Sequence, residues 1–88
     1  MVVGYVLIST KNSYEYIVAD KLSKVDEVVD VEPLLVEETA LADLFFEDYD
    51  LIAKIKVDSS KHLKELVEKK IHPLYGVEKT KVASRPKL

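Results

Sequence analysis

The sequence predicts an α+β domain in which a strand–helix–strand unit occurs twice, in the order βαββαβ. Two stretches, Val2–Thr10 and Tyr49–Val57, have the period of two that is typical of strands. Each is followed by apolar residues at helical spacing and then by a second extended stretch. Two right-handed crossovers side by side give the ferredoxin-like arrangement, with strands one and three in the middle of the sheet.

The first strand, Val2–Thr10, is apolar on both of its faces. One face carries Val2, Val6 and Ile8, and the other carries Val3, Tyr5 and Leu7. A strand with two apolar faces is buried on both sides, so we expect it to be central in its sheet.

The first helix is predicted to begin near Asn12, whose side chain can cap it, with Glu15 completing a capping box. Its apolar stripe is Tyr14, Ile17, Val18, Leu22 and Val25. Lys21 and Lys24 fall in the last turn, where the helix dipole favours cations.

The second strand is predicted at Val28–Val36, and Pro33 places it at an edge because proline lacks a ladder donor. Ala40–Phe46 is an alternative second strand. We favour Val28–Val36, because its sequence pattern matches the start of strand four in the second unit. The acidic and apolar segment Glu37–Asp48 is then an insertion longer than a hairpin needs.

The third strand places Leu51, Ala53, Ile55 and Val57 on one face. The stretch Asp58-Ser59-Ser60 can cap the helix that follows, and Pro73 and Gly76 end it. Its apolar stripe is Leu63, Leu66, Val67 and Ile71. The fourth strand, Val77–Ala83, carries Lys79 and Lys81, which are typical of a protected sheet edge.

Length and composition predict one domain, residues 1–88, that depends on its own core or on a partner chain. There is no cysteine and no glycine-rich phosphate loop, so we expect no cofactor. The formal net charge of −3 disfavours direct nucleic-acid binding.

No apolar run is long enough for a membrane span, and no signal peptide is apparent, so we expect a cytoplasmic protein. Abundant lysine and glutamate are a weak indication of a thermophilic source.

The face of the sheet that the helices leave open is predicted to be apolar on strand one. An exposed apolar face of this size is a liability in a monomer. We therefore expect the chain to form a homodimer or a higher oligomer through this face.

The sequence contains no residue pattern typical of a catalytic site or a metal-binding site. His62 and His72 have no metal-ligand spacing, and no serine lies in a nucleophile elbow. Phe45 and Phe46 are predicted to serve core or oligomer packing, and the alternative for them is a wall of a ligand pocket. We therefore expect a protein that is not an enzyme.

Three short motifs resemble the C-terminal effector domain of the Lrp/AsnC family, the feast/famine transcription regulators. They are Tyr49-Asp50 at the entry to strand three, Lys70-Ile71 at the end of the second helix, and Gly76-Val77-Glu78-Lys79-Thr80 at the entry to strand four. The sequence departs from the family pattern at Glu47, where a glycine is expected, and in the longer segment Glu37–Asp48.

This resemblance implies a dimeric α/β barrel that binds an amino acid or a similar small metabolite between subunits. The ligand-binding residues that it implies are Glu47, Tyr49 and Asp50. The family's helix-turn-helix precedes the effector domain, and here strand one begins at residue 2, so the sequence predicts a stand-alone effector domain. A full-length Lrp/AsnC-type regulator is a possible partner. The alternatives are a small enzyme of the dimeric α/β-barrel group, such as an isomerase or oxygenase, and a pure assembly partner of such a regulator.

Overall fold

The structure is a computed structural model, and it describes residues 2–34 and 49–84. Within these ranges a four-stranded sheet is combined with two helices. The elements in chain order are β1 (Val2–Thr10), α1 (Glu15–Ser23), β2 (Val28–Pro33), β3 (Leu51–Val57), α2 (Ser60–Leu66, continued by a π-helical turn at Val67–Ile71) and β4 (Val77–Ser84).

The strand order across the sheet is β2-β3-β1-β4, and every neighbouring pair is antiparallel. The predicted ferredoxin-like βαββαβ fold is therefore confirmed, with β1 and β3 in the centre. Pro33 lies on an edge strand, as its missing amide hydrogen requires. Lys79 and Lys81 lie on the other edge strand, as predicted.

The hydrophobic core lies between the two helices and one face of the sheet. β3 shows the predicted alternation most clearly, because Leu51, Ala53, Ile55 and Val57 are all buried. The other members of the core are Val6, Ile8, Val18, Leu22, Leu63, Leu66, Val67 and Ile71. Gly4 allows α2 to approach β1, since a Cβ atom there would lie 2.5 Å from Leu63 Cδ2.

α2 begins where the sequence predicts, because the Ser59 hydroxyl accepts a hydrogen bond of 3.1 Å from the backbone amide of His62. The same helix then widens into a π-helical turn, in which the His72 amide donates to the Val67 carbonyl at 2.8 Å. All four apolar residues of the predicted stripe remain buried through this change.

α1 begins at Glu15, and the predicted Asn12 cap and capping box are wrong. Ser13 has a φ of 70°, and the Tyr14 amide donates to the Lys11 carbonyl, so Asn12 lies in a turn before the helix. Tyr14 occupies the cap position without a side-chain hydrogen bond to the helix. Val18 and Leu22 are buried as predicted, whereas Ile17 is 48 % exposed.

β2 ends at Pro33, three residues before the predicted end. Its register against β3 shifts between Val28 and Asp30. Leu34 is described and is not part of a strand. Leu35 and Val36, the alternative strand Ala40–Phe46 and the whole Glu37–Asp48 segment, including Phe45 and Phe46, lie outside the described residues. Tyr49 and Asp50 are the first described residues after this segment.

Candidate functional site

Asp50 lies where the chain enters the sheet, one residue before β3. Its amide donates a hydrogen bond to the Ile8 carbonyl at 2.9 Å, and its carbonyl accepts one from the Leu34 amide at 2.8 Å. The backbone of Asp50 is thus tied to β1 on one side and to the end of β2 on the other. A side chain at this position is held by three strands rather than by a free loop.

The carboxylate of Asp50 is bound to the end of β1. Its Oδ2 atom accepts hydrogen bonds from the Thr10 amide at 2.8 Å and from the Thr10 hydroxyl at 3.2 Å. An aspartate at the start of a strand often caps backbone groups within its own turn. The partner is instead 40 residues away, so the carboxylate joins two central strands.

A groove of about 320 Å³ opens beside Asp50, between α1 and the sheet. Most of its lining is apolar, and the ionisable groups at its surface include two carboxylates. The lining residues are Glu15, Tyr16 and Ala19 of α1, Val31, Pro33 and Leu34 at the end of β2, and Asp50 and Leu51. This volume is at the lower end of the range for small-molecule sites.

The three predicted ligand-binding residues differ in where they lie relative to the groove and to the described part of the chain. Asp50 is half-buried and lines the groove, and Tyr49 is half-buried beside it in the chain. Glu47 lies outside the described residues. The sequence did not single out Thr10 or Glu15 as site residues. Thr10 was recognisable only as the polar end of an apolar strand, and Glu15 was assigned to a capping role.

The face of the sheet opposite the helices has charged edges, and its centre carries apolar side chains together with Lys54 and Lys56 of β3. The strand registers place Tyr5, Leu7 and Ile52 on this face. Asp30 and Glu32 lie on the β2 edge, and Lys79 and Lys81 lie on the β4 edge. A shallow cavity of about 250 Å³ on this face is lined by Tyr5, Asp30, Glu32, Ile52 and Lys54.

Glu27 forms a small ionic cluster with α2 and its π-helical turn. Its Oε2 atom lies 3.4 Å from Lys70 Nζ and 3.6 Å from His62 Nε2. The pKa of Glu27 is lowered, first by a hydrogen bond from its own backbone amide and further by the nearby Lys70. The cluster gives His62, near the start of α2, a carboxylate neighbour.

Tyr14 and Tyr75 form an aromatic pair at the start of α1. Their ring centroids are 5.6 Å apart in an edge-to-face arrangement, and Lys11 Nζ lies 4.7 Å from the Tyr75 centroid. The pKa of Tyr14 is raised, chiefly by its hydrogen bond with Tyr75. Gly76, which follows Tyr75, has a φ of 100°, and a Cβ atom there would lie 2.9 Å from Val18 Cγ2. The glycine in the third family-like motif is therefore needed for close packing of α1.

Within residues 2–34 and 49–84, no group of three or more histidine, aspartate or glutamate side chains is arranged to hold a metal ion. No helix in this part of the chain is long and apolar enough to cross a membrane.

The chain matches no protein-family model and no curated protein. Among solved structures it is similar to FFRP-DM1, with a TM-score of 0.78 and 26 % identity over 98 % of this chain and 100 % of that one. It is also similar to AsnC of E. coli, with a TM-score of 0.71 and 19 % identity. Its fold is that of an Lrp/AsnC-type regulatory domain.

A third similar structure is the transcriptional regulator NMB0573 of Neisseria meningitidis in complex with L-Met, with a TM-score of 0.76 and 14 % identity. The match covers 98 % of this chain and 50 % of the Neisseria chain, and for AsnC it covers 99 % and 52 %. The chain thus spans about half the length of these two regulators and the full length of FFRP-DM1. The predicted resemblance to an Lrp/AsnC domain is confirmed at the level of the fold.

Proposed function

We propose that this chain is a regulatory module that binds a small amino-acid-like molecule and acts through the assembly of identical subunits. Its Lrp/AsnC-type fold supports this proposal, as does the presence of L-Met in the similar Neisseria regulator. The observation that carries it most directly is Asp50, which is fixed at the junction of β1, β2 and β3 beside a groove of suitable size. The ligand residues that we propose are Glu47, Tyr49 and Asp50.

Asp50 suits the recognition of an ammonium group. A carboxylate accepts charge-assisted hydrogen bonds, which are shorter and stronger than neutral ones. Both hydrogen bonds from Thr10 reach the Oδ2 atom. Among the described residues Oδ1 receives no hydrogen bond, so this oxygen can accept one from a ligand without loss of the link to β1.

The proposed assembly uses the open face of the sheet. Val3 is 38 % exposed there, and Tyr5 and Ile52 are half-buried in the single chain. Covering such side chains contributes about 25 cal/mol for each Å² of apolar surface removed from water. A homodimer, or a larger assembly built from it, would bury this surface. A mixed assembly with a full-length Lrp/AsnC-type regulator is the route by which the module would influence transcription.

Among residues 2–34 and 49–84, the lining of the groove does not include the group that the enzyme alternative requires. A small barrel enzyme needs an acid or a histidine buried in a pocket of each chain. Asp50 and Glu15 line the groove, but both are half-exposed, and Asp50 already binds Thr10. We therefore do not assign a reaction to the groove.

The proposal is tested by calorimetric titration of the pure protein with each of the twenty amino acids, followed by titration of Asp50→Asn. Asparagine keeps an oxygen for Thr10 but loses the negative charge. We expect at least one amino acid to bind the wild type and to bind Asp50→Asn at least tenfold more weakly.

The matched control is Asp58→Asn, which removes an exposed carboxylate from the turn after β3. We expect it to bind as tightly as the wild type. Equal binding by wild type and Asp50→Asn, or binding of anionic ligands alone, would contradict the proposed role of Asp50.

A further inference from the structure

The groove beside Asp50 is formed within a single chain, between α1 and the sheet. Its apolar wall includes Ala19 of α1, Val31 of β2 and Leu51 of β3. Val31 and Leu51 lie on the helix-covered face of the sheet, since their register partners belong to the core. This site is therefore on the opposite side of the sheet from the face that we propose for dimerisation.

Ala19 determines how much room the groove has. It is the smallest side chain of the lining and is half-buried at the centre of α1. A larger residue at this position would occupy the space between the helix and the end of β2. With about 320 Å³ available, the groove suits a compact apolar group such as a branched alkyl chain or a single ring.

The charges at the groove are of one sign. Glu15 and Asp50 are carboxylates, and the eight described residues that line the groove include no lysine, arginine or histidine. An ammonium group here would gain charge-assisted hydrogen bonds. A ligand carboxylate would instead meet two like charges and find no cationic partner in the lining. Like charges placed together cost free energy, and more so where water is partly excluded.

We infer that this groove binds a primary amine with a small apolar body and no carboxylate, and that Glu15 and Asp50 together hold its ammonium group. The inference rests on the proposed function, because Asp50 is the ligand residue in both. It adds Glu15 as a second binding residue and Ala19 as the residue that sets ligand size. It also narrows the amino-acid-like ligand of the proposed function, because amines that lack the acid group are expected to bind more tightly than the corresponding amino acids.

Three ligands of the same shape test this assignment by calorimetry on the pure wild-type protein. They are 3-methylbutylamine, leucine, which adds a carboxylate to the same amine, and 4-methylpentanoate, which keeps only the carboxylate. We expect 3-methylbutylamine to bind at least tenfold more tightly than leucine, and 4-methylpentanoate not to bind.

Two variants then locate the site. Glu15→Gln removes one charge at the start of α1, and Ala19→Leu fills the groove. We expect each to weaken amine binding at least tenfold, whereas Glu68→Gln, an exposed glutamate on the far helix, leaves it unchanged. Since Ala19→Leu can disturb packing, Glu15→Gln is the deciding variant, and circular dichroism confirms that each variant is folded.

The outcomes separate this inference from the proposed function. Amine binding that is absent, or that Glu15→Gln does not weaken, overturns the inference. If leucine binds, and if Asp50→Asn abolishes this binding while Glu15→Gln does not affect it, the proposed function is supported and the inference is overturned. If the amine binds in a manner that depends on Glu15, and no amino acid binds, the groove is supported as an amine site. That result overturns the amino-acid form of the proposed function.

Discussion

The carboxylate of Asp50 has a structural role and a proposed ligand-binding role. Its Oδ2 atom links the start of β3 to the end of β1 through Thr10, and the proposed ligand role uses the remaining acceptor. A residue fixed by both backbone and side-chain hydrogen bonds is preorganised, so less conformational entropy is lost when a ligand binds. The structural role therefore supports the binding role instead of replacing it.

Thr10→Val tests the structural part of this pair. It removes the hydroxyl that donates to Asp50 and keeps the backbone amide that donates to the same oxygen. We expect the free energy of unfolding to fall by about 0.5–1.5 kcal/mol, the usual net worth of one hydrogen bond. Urea denaturation followed by circular dichroism gives this value.

Thr80→Val is the matched control for Thr10→Val. Thr80 is a half-buried threonine of β4 that lies opposite Ile8, and its hydroxyl has no hydrogen bond to another described residue. We expect no loss of stability from this change. A Thr10→Val variant as stable as the control would show that the side-chain link contributes nothing.

The sequence predicts Asp50 as a site residue only through a family-like motif, and it does not predict the Thr10 bond at all. That bond joins residues 40 positions apart, and a periodic pattern carries no information on which side chains meet across a sheet. Glu15 was misassigned for a related reason. A glutamate in the first helical turn is compatible with a capping box and with a groove wall, and only the packing of α1 distinguishes the two roles.

The elements themselves follow the sequence patterns closely, except at helix ends, at the end of β2 and at the start of β3. β1, β3 and β4 and the apolar stripe of α2 agree with the predictions, because burial on one face imposes a strict period. The start of α1 depends on the positive φ of Ser13, which is uncommon for a serine. The π-helical turn at Val67–Ile71 was also not predicted. Its altered hydrogen bonding leaves the apolar stripe in place, so the residue pattern does not reveal it.

Ser59→Ala tests the helix cap at the start of α2. The serine hydroxyl satisfies the His62 amide at the start of α2, and alanine leaves that amide to water. We expect a loss of about 1 kcal/mol in the free energy of unfolding, as is typical of N-cap serines. Thermal or urea denaturation measures the loss.

Ser60→Ala is the control for Ser59→Ala, because this exposed serine is the first residue of the same helix and not its cap. We expect its stability to equal that of the wild type or to exceed it slightly, since alanine has the higher helix propensity. If both variants lost the same stability, the cap at Ser59 would not be the cause.

At the scale of the whole molecule, the two edges of the open face carry opposite charges that would complement each other in the proposed homodimer. The acidic edge, Asp30 and Glu32 on β2, lies across the sheet from the basic edge, Lys79 and Lys81 on β4. A two-fold axis running parallel to the strands would place the acidic edge of one chain on the basic edge of its partner. The same axis would bring the central apolar side chains of the two faces together, as an isologous interface requires.

Charge reversal tests this arrangement. In the double variant Lys79→Glu, Lys81→Glu, both edges of the face become acidic, so we expect the dimer to dissociate at least tenfold more readily. The second double variant, Asp30→Lys, Glu32→Lys, makes both edges basic and is expected to weaken its own dimer similarly. An equimolar mixture of the two should recover the wild-type dimer, as measured by sedimentation equilibrium at low salt.

The control for charge reversal is Lys61→Glu, Lys64→Glu on the exposed surface of α2, which changes net charge by the same amount away from the sheet. Its dimer should dissociate like that of the wild type. Failure of the mixture to associate would exclude the proposed axis.

Native mass spectrometry of the pure wild-type protein with the twenty amino acids and 3-methylbutylamine tests the central claim most directly, because one spectrum gives both subunit count and bound mass. We predict an even number of 10.0 kDa chains, each able to carry one small molecule, and loss of the bound mass in Asp50→Asn. A 10.0 kDa monomer that retains none of these compounds would contradict the account.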